Sequence, residues 1–158
     1  MKRKLLLVSC LLFVMTMWAT DVLKIDEAEF GKGYCEIIPL LEKEFGKPVF
    51  VTTEQIVYEY KEYRGIKFDR MVFNFKNSRF SEARLYVKTP SKAMANSIVR
   101  KMVKIFANVE TVSCDYEDGS YFYKDGRAPV GIGRLFTISV LCLQGKWNAE
   151  VRYGPFKY

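Results

Sequence analysis

The sequence predicts an α+β protein, an antiparallel sheet of six to seven strands with two helices packed on one face. Two segments repeat apolar residues at three- and four-residue steps, which is typical of amphipathic helices. The remaining segments alternate apolar and polar residues, which is typical of half-buried antiparallel strands. The segments follow the order α-β-β-β-α-β-β-β(-β), so the helices are expected to lie together on one side of the sheet.

Residues 1–20 have the layout of a secretory signal peptide. The cationic start Lys2–Lys4 is followed by an apolar run, Leu5–Ala19. At ~1.5 Å per residue this run spans roughly 22 Å, short of the ~30 Å hydrocarbon core of a bilayer. We therefore expect a cleaved leader, a single mature domain at residues 21–158, and a location in the periplasm or outside the cell.

Two alternatives to cleavage stay open, namely a lipidated N-terminus and an uncleaved anchor. The segment Leu7-Val8-Ser9-Cys10 resembles a bacterial lipoprotein box, which would place the lipid on Cys10. Most of the apolar stretch follows Cys10 rather than preceding it, however. This arrangement favours an ordinary cleaved signal.

The first helix is predicted at residues 34–45. Pro39 is compatible with a helix only in its first turn, so a start near Cys35 or Glu36 is expected. Gly46 then provides a stop signal, because glycine readily adopts the left-handed cap conformation. The apolar face of this helix consists of Tyr34, Ile37, Ile38, Leu41 and Phe45.

Three strands are predicted next, at residues 49–60, 66–76 and 80–88, with a glycine and an Asn-Ser pair in the turns between them. A second helix is predicted from the N-cap Ser91 to about Asn108. Alternating residues predicted to share one face of these strands are Ile56, Tyr58 and Tyr60, then Met71, Phe73 and Phe75, then Ala83, Leu85 and Val87.

The last third of the chain again predicts strands. Alternation is visible at residues 112–116, from residue 121 onward, and at residues 135–143 and 147–153. Gln144-Gly145 provides the turn of the final hairpin.

Three cysteines remain after removal of the leader: Cys35, Cys114 and Cys142. Cys114 and Cys142 fall on apolar strand faces, which predicts buried thiols. A disulfide between these two is the alternative in an oxidising compartment. In a plain meander, two interstrand spacings of ~4.8 Å exceed the reach of a disulfide, so this bridge requires a reordered sheet.

Composition excludes several chemistries. The chain has no histidine, which removes the Ser-His-Asp and Cys-His arrangements and imidazole zinc sites. Removing Lys2–Lys4 from 25 basic residues leaves 22 against 18 acidic ones, a net charge of +4. This mild charge has no basic block, so no nucleic-acid partner is expected. No motif indicates a metal or a cofactor.

Tyrosines supply the candidate binding residues. Exposed tyrosines would form an amphipathic patch able to bind proteins, peptides or sugars, whereas alternating tyrosines also pack well in a core. The acidic residues Asp115, Glu117 and Asp118 surround one turn and are interpreted as turn chemistry. The candidate tyrosines are Tyr58, Tyr60, Tyr116, Tyr121 and Tyr123.

Several segments resemble small, uncharacterised exported α+β proteins of Bacteroidota-type bacteria. They are the Leu-Glu-Lys-Glu-Phe-Gly-Lys helix end, the Phe-Asp-Arg-Met-Val-Phe-Asn-Phe strand and the terminal Tyr-Gly-Pro-Phe. The order of elements is also similar to that of β-lactamase-inhibitor-like and outer-membrane-assembly lipoprotein modules. That resemblance implies protein binding by analogy of fold.

We therefore expect a non-enzymatic binding module whose partner is an envelope protein or an extracellular ligand, with membrane contact only during export. One alternative is a carboxylate-based hydrolase of envelope or dietary glycans, which requires two carboxyl groups facing each other across a cleft. The other is a purely structural envelope protein. The sequence leaves the oligomeric state open.

Overall fold

The computed structural model describes residue 25 and residues 30–106, 112–115, 121–125 and 136–157. The side chains of residues 112–115, 121–125 and 136 are outside the description, and so is the predicted leader. The described chain is an α+β domain, which confirms the predicted fold class. Its two helices and the buried side of its sheet enclose one hydrophobic core.

Each helix precedes a run of four strands, and the eight strands form one antiparallel sheet in the order β1-β2-β3-β4-β8-β7-β6-β5. The sheet therefore consists of two meanders, and β4 pairs with β8 where they meet. The elements are α1 (Tyr34–Phe45), β1 (Phe50–Val51), β2 (Gln55–Tyr63), β3 (Ile66–Lys76), β4 (Arg79–Thr89), α2 (Lys92–Phe106), β5 (Val112–Asp115), β6 (Tyr121–Asp125), β7 (Phe136–Leu143) and β8 (Lys146–Tyr153).

The predicted strand at residues 49–60 is divided into β1 and β2. Thr52 is responsible, because its Oγ1 accepts the Gln55 N–H at 3.0 Å and its own N–H donates to the Gln55 carbonyl at 2.8 Å. This closes a tight turn within the apolar-polar alternation. The sheet consequently has one strand more than the larger predicted number.

Three hairpins turn through two residues with positive φ. These pairs are Arg64 and Gly65, Asn77 and Ser78, and Gln144 and Gly145. Such turns match the right-handed twist of the flanking strands. The Asn-Ser pair and the Gln144-Gly145 turn are both confirmed as predicted.

The bounds predicted for α1 are confirmed, whereas the later start near Cys35 or Glu36, expected from Pro39, is wrong by one or two residues. The helix begins at Tyr34, so Pro39 lies inside it rather than in its first turn. The Tyr34 N–H donates to the Ser78 carbonyl at 2.9 Å, and the Gly33 N–H donates to Glu36 Oε2 at 2.8 Å. The first of these bonds fixes the start of the helix against the turn between β3 and β4, and the second caps the helix locally.

The ends of the helices otherwise follow the sequence signals. Gly46, with φ of +74°, ends α1, and its N–H donates to the Glu42 carbonyl at 2.8 Å. Ser91 Oγ accepts the Met94 N–H at 3.2 Å, so Ser91 caps α2 as predicted. Met94, in the first turn of α2, is half exposed.

The core lies between the helices and the facing side of the sheet. Leu41 of α1, Val99 of α2, Phe73, Leu85 and Val151 are all at most 1% exposed. Burying a side chain of this size stabilises the fold by roughly 1.5–3 kcal/mol relative to leaving it exposed. The alternation predicted for β3, β4 and β8 is therefore confirmed, with its apolar positions facing the helices.

The alternation reverses midway along the β2–β3 hairpin. Tyr60 has φ of +54° and is 76% exposed, so the prediction that it shares a face with the buried Tyr58 is wrong. Beyond this point Tyr63 and Phe68 are buried against Phe106 of α2, with ring centroids 6.1 and 6.3 Å away. A left-handed residue changes the face of the residues that follow it, and alternation in the sequence does not reveal such a residue.

The cysteine predictions require a correction. Cys142 is exposed and carries a free thiol, as does Cys35, so Cys142 is neither a buried thiol nor a partner of Cys114. The sheet order explains this, because β6 lies between β5 and β7. Cys114 pairs with Phe122, which in turn pairs with Ser139.

Gly154, directly after β8, generates the first testable prediction. It has φ of +86°, and a Cβ there would meet the Ser81 carbonyl oxygen at 2.5 Å. Gly154→Ala is therefore expected to lower the free energy of unfolding by roughly 3 kcal/mol, from left-handed strain plus overpacking. Urea unfolding of the mature chain, followed by circular dichroism, measures the change.

Gly145→Ala is the matched control. Gly145 has a similar φ of +74°, but a Cβ there would meet no atom within 4 Å. This variant is expected to lose only about 1 kcal/mol, the cost of the left-handed backbone. Equal losses in the two variants would contradict the steric explanation.

Candidate functional site

One face of the sheet is covered by α1 and α2, and we call the opposite side the open face. No helix of the described part of the chain covers it. Its central positions are polar rather than apolar: Glu82, Arg84 and Tyr86 on β4 lie beside Asn148, Glu150 and Arg152 on β8. A sheet face that only contacts water does not require buried charged side chains. Because this face has them, it is the first candidate for a functional site.

Four residues form an ion-pair quartet across β4 and β8. Arg84 Nε donates to Glu150 Oε1 at 2.7 Å, and Arg152 Nε donates to Glu82 Oε1 at 2.6 Å. Arg84 and Arg152 are direct register partners, so the two pairs cross the same strand boundary diagonally. The quartet has two positive and two negative charges and is neutral as a unit.

Glu150 is the most buried member, at 2% exposed. Burial raises the pKa of its carboxyl above the usual value, while the adjacent Arg84 guanidinium opposes this shift. Burial lowers the pKa of Arg84, but the charge and hydrogen bond of Glu150, together with the nearby Tyr86 and Glu82, raise it by more. Burial also raises the pKa of Tyr86, whose hydroxyl is hydrogen-bonded to Glu150.

Amide side chains extend the quartet toward β2. Asn74 Nδ2 donates to Glu82 Oε2 at 2.7 Å, and Gln55 Nε2 donates to Asn74 Oδ1 at 2.9 Å. With Arg152, this chain of polar contacts links four adjacent strands. It holds its own members in fixed positions, because each partner restricts the rotamers of the next.

A concavity of about 510 Å³ lies on this face. That volume is within the range of small-molecule sites in proteins. No described carboxylate belongs to its lining. The lining comprises the cations Arg70, Arg84, Lys88 and Lys146, the amides Gln55, Asn74, Gln144 and Asn148, and Val72, Tyr86 and Leu143.

We call Arg70, Lys88 and Lys146 the cationic diagonal. Arg70 on β3 is the register partner of Tyr86, and Lys88 follows Tyr86 by two residues on β4. Lys88 is in turn the register partner of Asn148, and Lys146 precedes Asn148 by two residues on β8. Neighbours of this diagonal kind lie roughly 7–8 Å apart. All three side chains are exposed. None of them makes an ion pair with a described carboxylate.

The structure does not bring the candidate tyrosines together. Tyr58 is 1% exposed and packs against Phe45 and Phe73, so it is a core residue rather than a binding residue. Its hydroxyl has no hydrogen-bond partner among the described groups, and burial, with a smaller effect of Glu42, raises its pKa to about 12. Tyr60 is exposed but isolated from the concavity.

The remaining candidates lie wholly or partly outside the described residues. Tyr116, Glu117 and Asp118 are outside them, and for Asp115 the backbone alone is described. The backbones of Tyr121 and Tyr123 belong to β6. Tyr123 is the register partner of Ile138, whose own side chain is buried.

Sequence reasoning missed the quartet. The signal was present as opposite charges two residues apart, Glu82 with Arg84 and Glu150 with Arg152, since such residues share one face of a strand. The predicted face assignments did not indicate which strands would be neighbours. The pairing of β4 with β8 brings the two signals together.

The described residues contain no cluster of three or more acidic or cysteine side chains able to hold a metal ion. No described helix combines the length and apolar character needed to cross a membrane. Comparisons with known protein families, with curated proteins and with solved structures find no match to this chain.

The quartet generates the second prediction. Glu150→Ala removes one partner of a buried ion pair and leaves Arg84 without its counter-ion. Breaking a buried pair in this way is expected to cost roughly 3 kcal/mol of unfolding free energy. Urea unfolding at neutral pH measures the loss.

The control is the double variant Arg84→Met/Glu150→Leu, which replaces both charges with apolar side chains. Because no buried charge is left unpaired, this variant is expected to lie within about 1 kcal/mol of the native stability. If the double variant is destabilised as much as Glu150→Ala, the lost charge partner is not the cause.

Proposed function

We propose that this protein is an exported, non-enzymatic binding module that holds its ligand in the concavity of the open face. The observation that carries this proposal is the concavity itself, because fixed polar side chains from β2, β3, β4 and β8 meet there on the side of the sheet away from the helices. Such a combination of a shaped surface and preorganised polar groups is what a binding site requires.

Export is supported by the leader. Its cationic start and short apolar run match a secretory signal. The similarity of element order to protein-binding modules of bacterial envelopes favours the same location and a binding role, by analogy alone. The ligand would accordingly be met in the periplasm or outside the cell.

Binding is favoured over glycan hydrolysis by the state of the buried carboxylates. A carboxylate-based hydrolase needs two carboxyl groups presented to the substrate across a cleft. Among the described side chains, Glu82 and Glu150 are the buried carboxylates of the open face, and each is engaged by an arginine. Neither lines the concavity. Their geometry is that of a structural network which supports the binding surface.

The export part of the proposal predicts that the protein isolated from cells starts at Thr20 or Asp21. Leu12→Arg interrupts the apolar run and is expected to leave the full-length chain in the cytoplasm, because a charge in the apolar core of a signal prevents its insertion. Intact-mass measurement of periplasmic, secreted and cytoplasmic fractions checks both statements.

Cys10→Ser is the control for lipidation. An ordinary cleaved signal matures identically with either residue at this position, whereas a lipoprotein signal requires the cysteine. Native protein that begins at Met1 and fractionates with cytoplasmic markers would contradict export.

The binding part predicts saturable retention of the mature protein on immobilised envelope extract, through the open face. In a variant with Cys35, Cys114 and Cys142 replaced by serine, Gln144→Cys allows a polyethylene glycol maleimide to be attached at the rim of the concavity. The attached polymer is expected to abolish retention by steric exclusion. Binding to the extract is followed by surface plasmon resonance.

Lys101→Cys, on the exposed side of α2, is the matched control in the same background. Modification there adds the same polymer on the helix side and is expected to leave retention unchanged. Retention that survives at position 144, or is lost equally at both positions, would contradict the open face as the binding surface.

A further inference from the structure

We propose that the ligand of the concavity is an acidic carbohydrate chain, whose carboxylates pair with the cationic diagonal of Arg70, Lys88 and Lys146. This inference rests on the proposed function and specifies the chemistry of its ligand. Three properties of the open face lead to it: the sign of its uncompensated charge, the spacing of that charge and the position of the concavity within the sheet.

The uncompensated charge of the concavity is positive. The quartet is neutral, because Arg84 and Arg152 are paired with Glu150 and Glu82. Glu59 is the register partner of Arg70, but it forms no ion pair with that residue and does not line the concavity. The cationic diagonal therefore leaves three positive charges facing the ligand, and charge complementarity requires an anion.

The spacing indicates a ligand with several separated charges. Successive members of the diagonal lie roughly 7–8 Å apart, so its ends are roughly 15 Å apart. Cations that bind one phosphate or one carboxylate converge on a single point. A row of this length matches carboxylates repeated along a chain.

The position in the sheet favours a carbohydrate over an acidic peptide. Extended peptides bind to sheets mainly through main-chain hydrogen bonds at an exposed edge. The concavity lies over β3, β4 and β8, and each of these interior strands pairs with a neighbour on both sides, so none of them offers a free edge. The contacts available to a ligand are therefore mainly those of side chains, and the exposed amide of Gln144 beside the cations matches the hydroxyl groups of a sugar.

The test uses oligogalacturonate, an oligosaccharide with one carboxylate per sugar, and its methyl ester as the uncharged control with the same backbone. Isothermal titration of the mature protein at low salt is expected to show binding of the acid form, weakening as salt is added, and little binding of the ester. The variant Arg70→Gln/Lys88→Gln/Lys146→Gln is expected to bind the acid roughly 30-fold more weakly, since exposed ion pairs contribute about threefold each.

Lys43→Gln/Lys101→Gln/Lys104→Gln, which removes three exposed cations from the helices, is the matched control and is expected to bind like the native protein. Equal binding of acid and ester, or equal loss in both triple variants, would overturn the proposal. Preferential binding of polyglutamate, or competition by equimolar inorganic phosphate, would overturn it as well. The protein could still be retained on the envelope extract through its open face and yet not bind oligogalacturonate. In that case the proposed function stands and this inference fails.

Discussion

The pairing of β4 with β8 is the constraint on which the rest of this structure depends. It is where the two four-strand meanders meet, so the sheet is continuous only through it. On the helix side, Leu85 and Val87 face Val151 and Ala149 and contribute to the core. On the open side, the same strands carry the quartet. The boundary between β4 and β8 thus has two roles. On one face it buries apolar side chains without strict specificity, and on the other it forms charged pairs that fit only one register.

This register also positions the candidate site. A slip of one residue between β4 and β8 would move the quartet to the helix side and expose the core positions, because successive side chains in a strand point to opposite faces. Thr89 supports the register from the end of the strand, since its Oγ1 donates to the Trp147 carbonyl at 3.1 Å. The concavity exists because the meanders are joined in this one alignment.

Local sequence signals were sufficient for most of the fold. The bounds of β3 and the end of α1 followed from alternation, helical spacing and the glycine after Phe45, which are properties of contiguous residues. Two local failures have physical causes that the pattern does not show, namely the side-chain turn at Thr52 and the left-handed backbone of Tyr60. The quartet was unpredictable for a different reason. Its pairs join residues 66 and 70 positions apart, and alternation gives no information about which distant strands are neighbours.

The pairing of β4 with β8 also explains why the charge at the surface of the open face is positive. Beyond the predicted leader, the chain has 22 basic and 18 acidic residues and is only mildly positive as a whole. The quartet and Asn74 engage Glu82 and Glu150 inside the open face, so these two carboxylates do not offset the cations at its surface. The small overall excess of positive charge is therefore concentrated locally at Arg70, Lys88 and Lys146. Because this local charge depends on the network beneath it, the proposed ligand specificity and the fold stability at the centre of the sheet would depend on the same contacts.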